Sequence, residues 1–111
     1  MKTKSQEQEQ FIAKFLEGRK QSRSGATPFQ KGDIKTNNFL IEAKIKNKIS
    51  KSITIQKEWI DTLNKDMFAM NKEYSALAIS FGDPSENYFI VNQDLFLEIM
   101  EVIDFIEKQG E

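Results

Sequence analysis

Residues 32–45 read Gly32-Asp33-Ile34-Lys35-Thr36-Asn37-Asn38-Phe39-Leu40-Ile41-Glu42-Ala43-Lys44-Ile45, two strand-like pieces around an Asn-Asn pair. Asparagine tolerates positive φ, so Asn37-Asn38 is expected to close a two-residue hairpin between strands 32–36 and 39–45. Side chains on a strand alternate faces. Phe39, Ile41, Ala43 and Ile45 therefore share one face, expected to be core, and Leu40, Glu42 and Lys44 share the other. With the Asn pair as the turn, facing residues have numbers that sum to 75, so Ile34 opposes Ile41 and Asp33 opposes Glu42. A slip of one residue would set Asp33 against Ile41 and break the pattern.

Outward from the hairpin, Gln6–Glu17 carries Phe11, Ile12, Phe15 and Leu16 at helical spacing, and Gly18 is expected to end that helix. The polar stretch Arg19–Lys31, with Ser24-Gly25 and Pro28, reads as a loop. Gln56–Met70 places Trp59, Ile60, Leu63, Met67 and Met70 on one stripe, with Thr54 as the expected N-cap. Ser75–Phe81 is a strand with small residues on one face, suited to a sheet interior. Asn87–Val91 is a further strand after the Asp83-Pro84 turn, and Asn92 caps a last helix, Gln93–Lys108. That helix is apolar over an arc wider than one small sheet face needs, which points to a subunit interface. The order is α-β-β-α-β-β-α, an α/β domain around a small mixed sheet, and 111 residues make one domain, 1–111.

Composition narrows the chemistry. The chain has no Cys and no His, which excludes disulfides, thiolate nucleophiles, catalytic triads and histidine-ligated metals. No apolar run approaches the ~20 residues of a membrane span, and MKTKSQEQEQ is no signal peptide. The expected protein is soluble and cytoplasmic, with carboxylates, lysines and hydroxyls as its reactive groups, a set suited to hard cations such as Mg²⁺. The net charge of −1 hides a division. Residues 1–57 hold 11 Lys and 2 Arg against 5 acids, +8, and residues 58–111 hold 3 Lys against 12 acids, −9. A basic half on an acidic body suggests a face for a polyanion, and Arg19 and Arg23 lie within five residues of each other.

Directly opposed carboxylates repel, and Asp33 facing Glu42 calls for a proton or a cation between them. A divalent ion would use both as oxygen ligands, polarise a phosphodiester and activate water. Lys44, on the same face, would orient the water or stabilise charge growing on the phosphate oxygens. Without Asp33, Glu42 and Lys44 form an ordinary surface ion pair worth ~0–1 kcal/mol.

Gly32-Asp33-Ile34 followed by Glu42-Ala43-Lys44 resembles the signature of the PD-(D/E)XK nuclease superfamily. Together with EQFIAKFL, GRKQSRSGA, KGDI, FLIEAK, KSITIQKEW and ALAISFG, the pattern resembles phage-type and archaeal-type Holliday junction resolvases over roughly residues 7–82. The resemblance implies a restriction-endonuclease-like core in which Asp33, Glu42 and the Ala43 carbonyl hold metal and Lys44 assists the attacking water. It assigns a helix carboxylate to Glu9, through E-x-x-I-x-x-x-L. Helical geometry alone does not choose between Glu9 and Glu7, which edge the same apolar stripe. It also implies a Ser24-Gly25 loop approaching the scissile phosphate, phosphate contacts from Arg19 and Arg23, and a site-lining role for Gln56. Trp59, on its apolar stripe, is expected to be a core or dimer contact rather than a base-stacking group. Two features depart from the pattern: RKQSR is too polar and short for the strand that precedes this loop in archaeal members, and Gly rather than Pro precedes Asp33.

The sequence is thus expected to encode a Mg²⁺-dependent DNA endonuclease (Mn²⁺ being the alternative metal), a homodimeric resolvase of four-way junctions with no small-molecule cofactor. If phage-encoded, it would work in the bacterial host cytoplasm. Lys31, Lys35, Lys46, Lys48 and Lys51 would track the DNA backbone. A nuclease for flaps, mismatches or duplex ends, and a catalytically silent nucleic-acid-binding subunit of the same fold, are the alternatives.

Overall fold

The computed structural model describes residues 2–17, 19–20 and 34–110, with Arg19 and Lys20 as backbone only. It is a small mixed α/β domain with three helices and a mixed sheet, four strands and a two-residue edge strand running in chain order. The elements are α1 (Lys4–Phe15), β1 (Arg19–Lys20), β2 (Ile34–Lys35), β3 (Phe39–Ile45), α2 (Lys57–Ala69), β4 (Tyr74–Ser80), β5 (Tyr88–Ile90) and α3 (Gln93–Gln109). β3 and β4 are parallel; the other neighbours are antiparallel. The parallel pair requires a crossover, and α2 supplies it.

The hairpin takes the expected register: Ile34 faces Ile41 and Lys35 faces Leu40. Its turn forms differently from expectation. Glu17 and Asn71 are the non-glycine residues with positive φ among those described, so Asn37 and Asn38 turn without it. The turn is closed by Thr36 N–H donating to the Phe39 carbonyl at 3.0 Å and Phe39 N–H donating to Thr36 Oγ1 at 3.1 Å, and it is also held from outside. Glu73 and Tyr74 backbone N–H groups donate to the Asn38 carbonyl at 3.1 and 2.9 Å. Lys72 Nζ donates to the Thr36 carbonyl at 2.7 Å. The start of β4 therefore fixes the turn that its own partner strand leaves.

Two other expectations are corrected. The element order gains a strand, because Arg19–Lys20 pairs antiparallel with Ile34–Lys35. An edge strand needs backbone bonds more than apolar side chains, so polarity did not prevent it. Thr54 does not cap α2, whose N-cap is Gln56, without a side-chain cap bond. Ile53 and Ile55 both pack into the core beside α2, and only an extended chain brings alternate residues to one side, so the helix cannot begin at residue 54. Gly18 lies outside the described residues, and the left-handed residue after α1 is Glu17, φ 54°.

The core has two layers. Ile12 and Ala13 of α1 meet Ile34, Ile41, Ala76 and Ala78 on one face of the sheet. On the other, Leu63 of α2 meets Leu40, Leu77 and Ile79. Leu40, expected on the face opposite the core, is fully buried. Central strands of a sheet covered on both sides have no solvent face, so Glu42 and Lys44 share their side of β3 with a second core. The small side chains expected in β4 are Ala76 and Ala78, against α1.

The chain after β3 is fastened to the end of β4. Lys46 N–H donates to the Ser80 carbonyl at 3.2 Å and Ser50 N–H to that of Phe81 at 2.8 Å. Gly82, φ +133°, lets this approach happen: a Cβ there would stand 2.7 Å from Ile49 Cα. Among the described residues, no helix is long and apolar enough to cross a membrane.

Candidate functional site

β3 alternation and α2 build the site together. Glu42 and Lys44, two apart, project to the α2 side, where their side chains are 18% and 34% exposed, with Lys44 Nζ 4.0 Å from Glu42 Oε2. That distance exceeds a hydrogen bond between these atoms, so the contact is electrostatic. From the first turn of α2, Trp59 presents its ring to the same ammonium, Lys44 Nζ lying 4.7 Å from the ring centroid. This is within cation–π range, an attraction of ~0.5–1 kcal/mol at exposed sites and more where water is excluded. Trp59 is therefore a core-edge residue, as its stripe position implied, and also the floor under Lys44.

The backbone of Lys44 is held as well. Gln8 of α1 is completely buried; its Nε2 donates to the Lys44 carbonyl and to Asn87 Oδ1, both at 3.0 Å. Lys44 is thereby fixed by α1 through its main chain and by Glu42 and Trp59 through its side chain. Gln8 had no visible signal, because it stands in the polar run Gln6-Glu7-Gln8-Glu9-Gln10. Its i, i+4 relation to Ile12, wholly within the core, was the available clue. For Trp59, the clue was its place in the first turn of the helix that follows the strand bearing Lys44.

The two helix carboxylates are separated by burial: Glu9 is 5% exposed, whereas Glu7 faces solvent. Glu9 stands on α1, which covers the Ile41 face, and parity puts Glu42 and Lys44 on the α2 side. Ala43 packs toward α1. Gln56 is exposed at the start of α2. The lysines divide into two groups. Lys35 lines a groove at the hairpin turn with Glu17, Asn37 and Lys72, while Lys46, Lys48 and Lys51 are exposed just beyond the far end of β3. Lys35 lies opposite Leu40, and the six residues from there to Lys46 span about 20 Å of strand. These lysines do not form one patch. Arg23, Ser24, Gly25, Lys31 and Asp33 lie outside the described residues, and Arg19 is described as backbone alone.

Among the described residues, no three acidic side chains converge on a space that could hold a metal ion. Comparison of the chain with protein-family models, with curated proteins and with solved structures finds no match.

Proposed function

We propose that this chain is a divalent-metal-dependent DNA endonuclease of PD-(D/E)XK type, its restriction-endonuclease-like core carrying Asp33, Glu42 and Lys44 on the hairpin. The observation that supports this most is the fixed placement of Lys44, 4.0 Å from Glu42 and over Trp59, on a strand whose register with Ile34 is the one that would set Asp33 against Glu42 if continued by one residue.

The donor set fits Mg²⁺ or Mn²⁺, since carboxylate and carbonyl oxygens are what the chain offers in the absence of His and Cys. Asp33 and Glu42 would hold the ion, with the Ala43 carbonyl as a further oxygen; Glu9, on the α1 side of the sheet, is not among the ligands. When bound, the metal supplies charge neutralisation at the phosphodiester and a more acidic water. Every other task falls to side chains. Lys44 donates a hydrogen bond to the incoming water or to a non-bridging phosphate oxygen, and its ammonium offsets the charge that grows there. Glu42 keeps that ammonium on the reacting side of β3. The exposed Lys46, Lys48 and Lys51, beyond the end of β3, bind the sugar-phosphate backbone near the cut, with Arg19, Arg23, Ser24, Gly25, Lys31 and Gln56 as the remaining DNA contacts. The substrate proposed is a four-way junction, whose paired strands a two-fold dimer can nick symmetrically.

The test is Mg²⁺-dependent nicking of a labelled four-way junction, set beside a flap and a linear duplex. The wild-type chain is expected to nick, and Asp33→Asn and Glu42→Gln are expected to abolish nicking while leaving low-salt binding within a few-fold. Cleavage of flaps in preference to junctions would move the substrate, not the chemistry. Binding without nicking, equal in parent and variants, would establish the silent DNA-binding subunit instead.

A further inference from the structure

α3 is tied to the domain by its first turns only. Asn92 Oδ1 accepts from the Leu95 N–H at 2.8 Å, Leu95 is its buried residue, and Glu98 Oε1 accepts the Tyr74 hydroxyl at 2.9 Å. Beyond that, large apolar side chains face water: Phe96, Ile99, Ile103 and Ile106 are 38–61% exposed. Their spacing of three, four and three residues is a coiled-coil seam. It also reads the same from either end, so two copies can mate about a two-fold axis with Phe96 opposite Ile106 and Ile99 opposite Ile103. We infer that α3 packs against α3 of a second copy of this chain through the seam Phe96, Ile99, Ile103 and Ile106.

Area and charge both favour that occupant. With Met100 and Val102 at its flanks, the seam exposes on the order of 550 Å² per copy, so a pair buries at most about 1,100 Å², close to the ~1,000 Å² a specific interface needs. A patch of that size is near the upper end of what a monomer leaves in water, where such patches mark interaction sites. Helical periodicity puts Asp94, Glu98, Glu101 and Asp104 on the half of the helix away from the seam and sets Glu107, at the seam's edge, level with Leu95 of the other copy, so pairing does not oppose acid to acid. The same acids repel an anionic lipid surface and a nucleic acid. This inference deepens the two-fold dimer of the nuclease proposal, but its readout is mass rather than cleavage, so either can fail without the other.

Sedimentation equilibrium of the full chain at 10–100 µM is expected to give twice the 12.9 kDa monomer mass. The double variant Ile99→Glu/Ile103→Glu is expected to sediment as a monomer with unchanged far-UV circular dichroism, and Ile103→Ser to weaken the dimer at least tenfold as a milder substitution. Leu97 is 55% exposed but lies off the seam, so Leu97→Glu is expected to remain dimeric. A monomeric wild-type chain at 100 µM overturns the inference, whether or not it then binds vesicles or another protein. So does a dimer that survives both seam variants, or one that Leu97→Glu disrupts equally.

Discussion

α2 and α3 look alike as sequence, each an apolar stripe on a charged helix, yet the fold treats them differently. α2 finds Leu40, Leu77 and Ile79 beneath it and buries Leu63 to 3% exposure. α3 buries Leu95 and then leaves its stripe in solvent. Periodicity states that a helix has a face to bury; whether that face is buried within the chain depends on what surface the rest of the fold still offers. Here both faces of the sheet are already taken, by α1 and α2. The difference also separates roles. The helix that packs on the sheet is the one that reaches the candidate chemistry, through Trp59, and the helix that does not is free to meet another copy.

The sharpest way to break this comparison is to truncate one apolar residue on each helix. Leu63→Ala removes a fully packed side chain and is expected to lower unfolding free energy by about 2–5 kcal/mol. Ile103→Ala, at 48% exposure, is expected to cost under about 1 kcal/mol when urea unfolding is followed at protein concentrations low enough to dissociate any dimer. Equal costs under those conditions would mean that α3 is packed against its own domain.

A smaller effect concerns the first turn of α2. Trp59→Leu keeps an apolar contact but removes the ring under Lys44. It is expected to slow Mg²⁺-dependent nicking by about 3–10-fold, the equivalent of a partly exposed cation–π contact, with little change in junction binding. Trp59→Phe is expected to recover most of the rate. Loss of binding and rate together, with no rescue by Phe, would make Trp59 a packing residue alone.

The hairpin shows how far the sequence could be read. β3 has the expected bounds, Phe39–Ile45, and its pairing with β2 has the expected register, because apolar alternation and a short turn constrain each other. What escaped was set by distant parts of the chain. The turn at Asn37-Asn38 is closed locally by Thr36 and Phe39 and braced from outside by Lys72, Glu73 and Tyr74. The burial of Leu40 depends on α2. β1 depends on a free edge at β2. At the candidate site, the Glu42–Lys44 pairing follows from strand parity and was legible. The supports of Lys44, Gln8 and Trp59, come from two helices more than ten residues away in sequence and carry no local signature. The basic first half was legible as a charge count, but the sheet separates its lysines to the two ends of β3, a division that no linear count contains.

The smallest predicted effect lies where α3 leaves the domain. The Tyr74 hydroxyl donates to Glu98, and this bond to a carboxylate, aided by some burial and by the negative charge of Glu98 and then Glu73, raises the Tyr74 pKa above its ordinary 10.0. A group whose pKa is higher folded than unfolded holds its proton more tightly in the native state, so its contribution is complete below the unfolded value and is lost as pH rises through the folded one. Stability should therefore decline above pH 10 in the wild-type chain, and less so in Tyr74→Phe. Phenolate absorbance should place the Tyr74 transition above 10.0, and Glu98→Ala should bring it back toward that value. Because Glu98 is α3's polar tie to β4, the same substitution also tests the helix itself: amide exchange should quicken along the first turns of α3 and stay unchanged in α2, whose hold on the sheet is apolar. Equal quickening in both helices would place the anchor of α3 in the sheet core rather than at Tyr74.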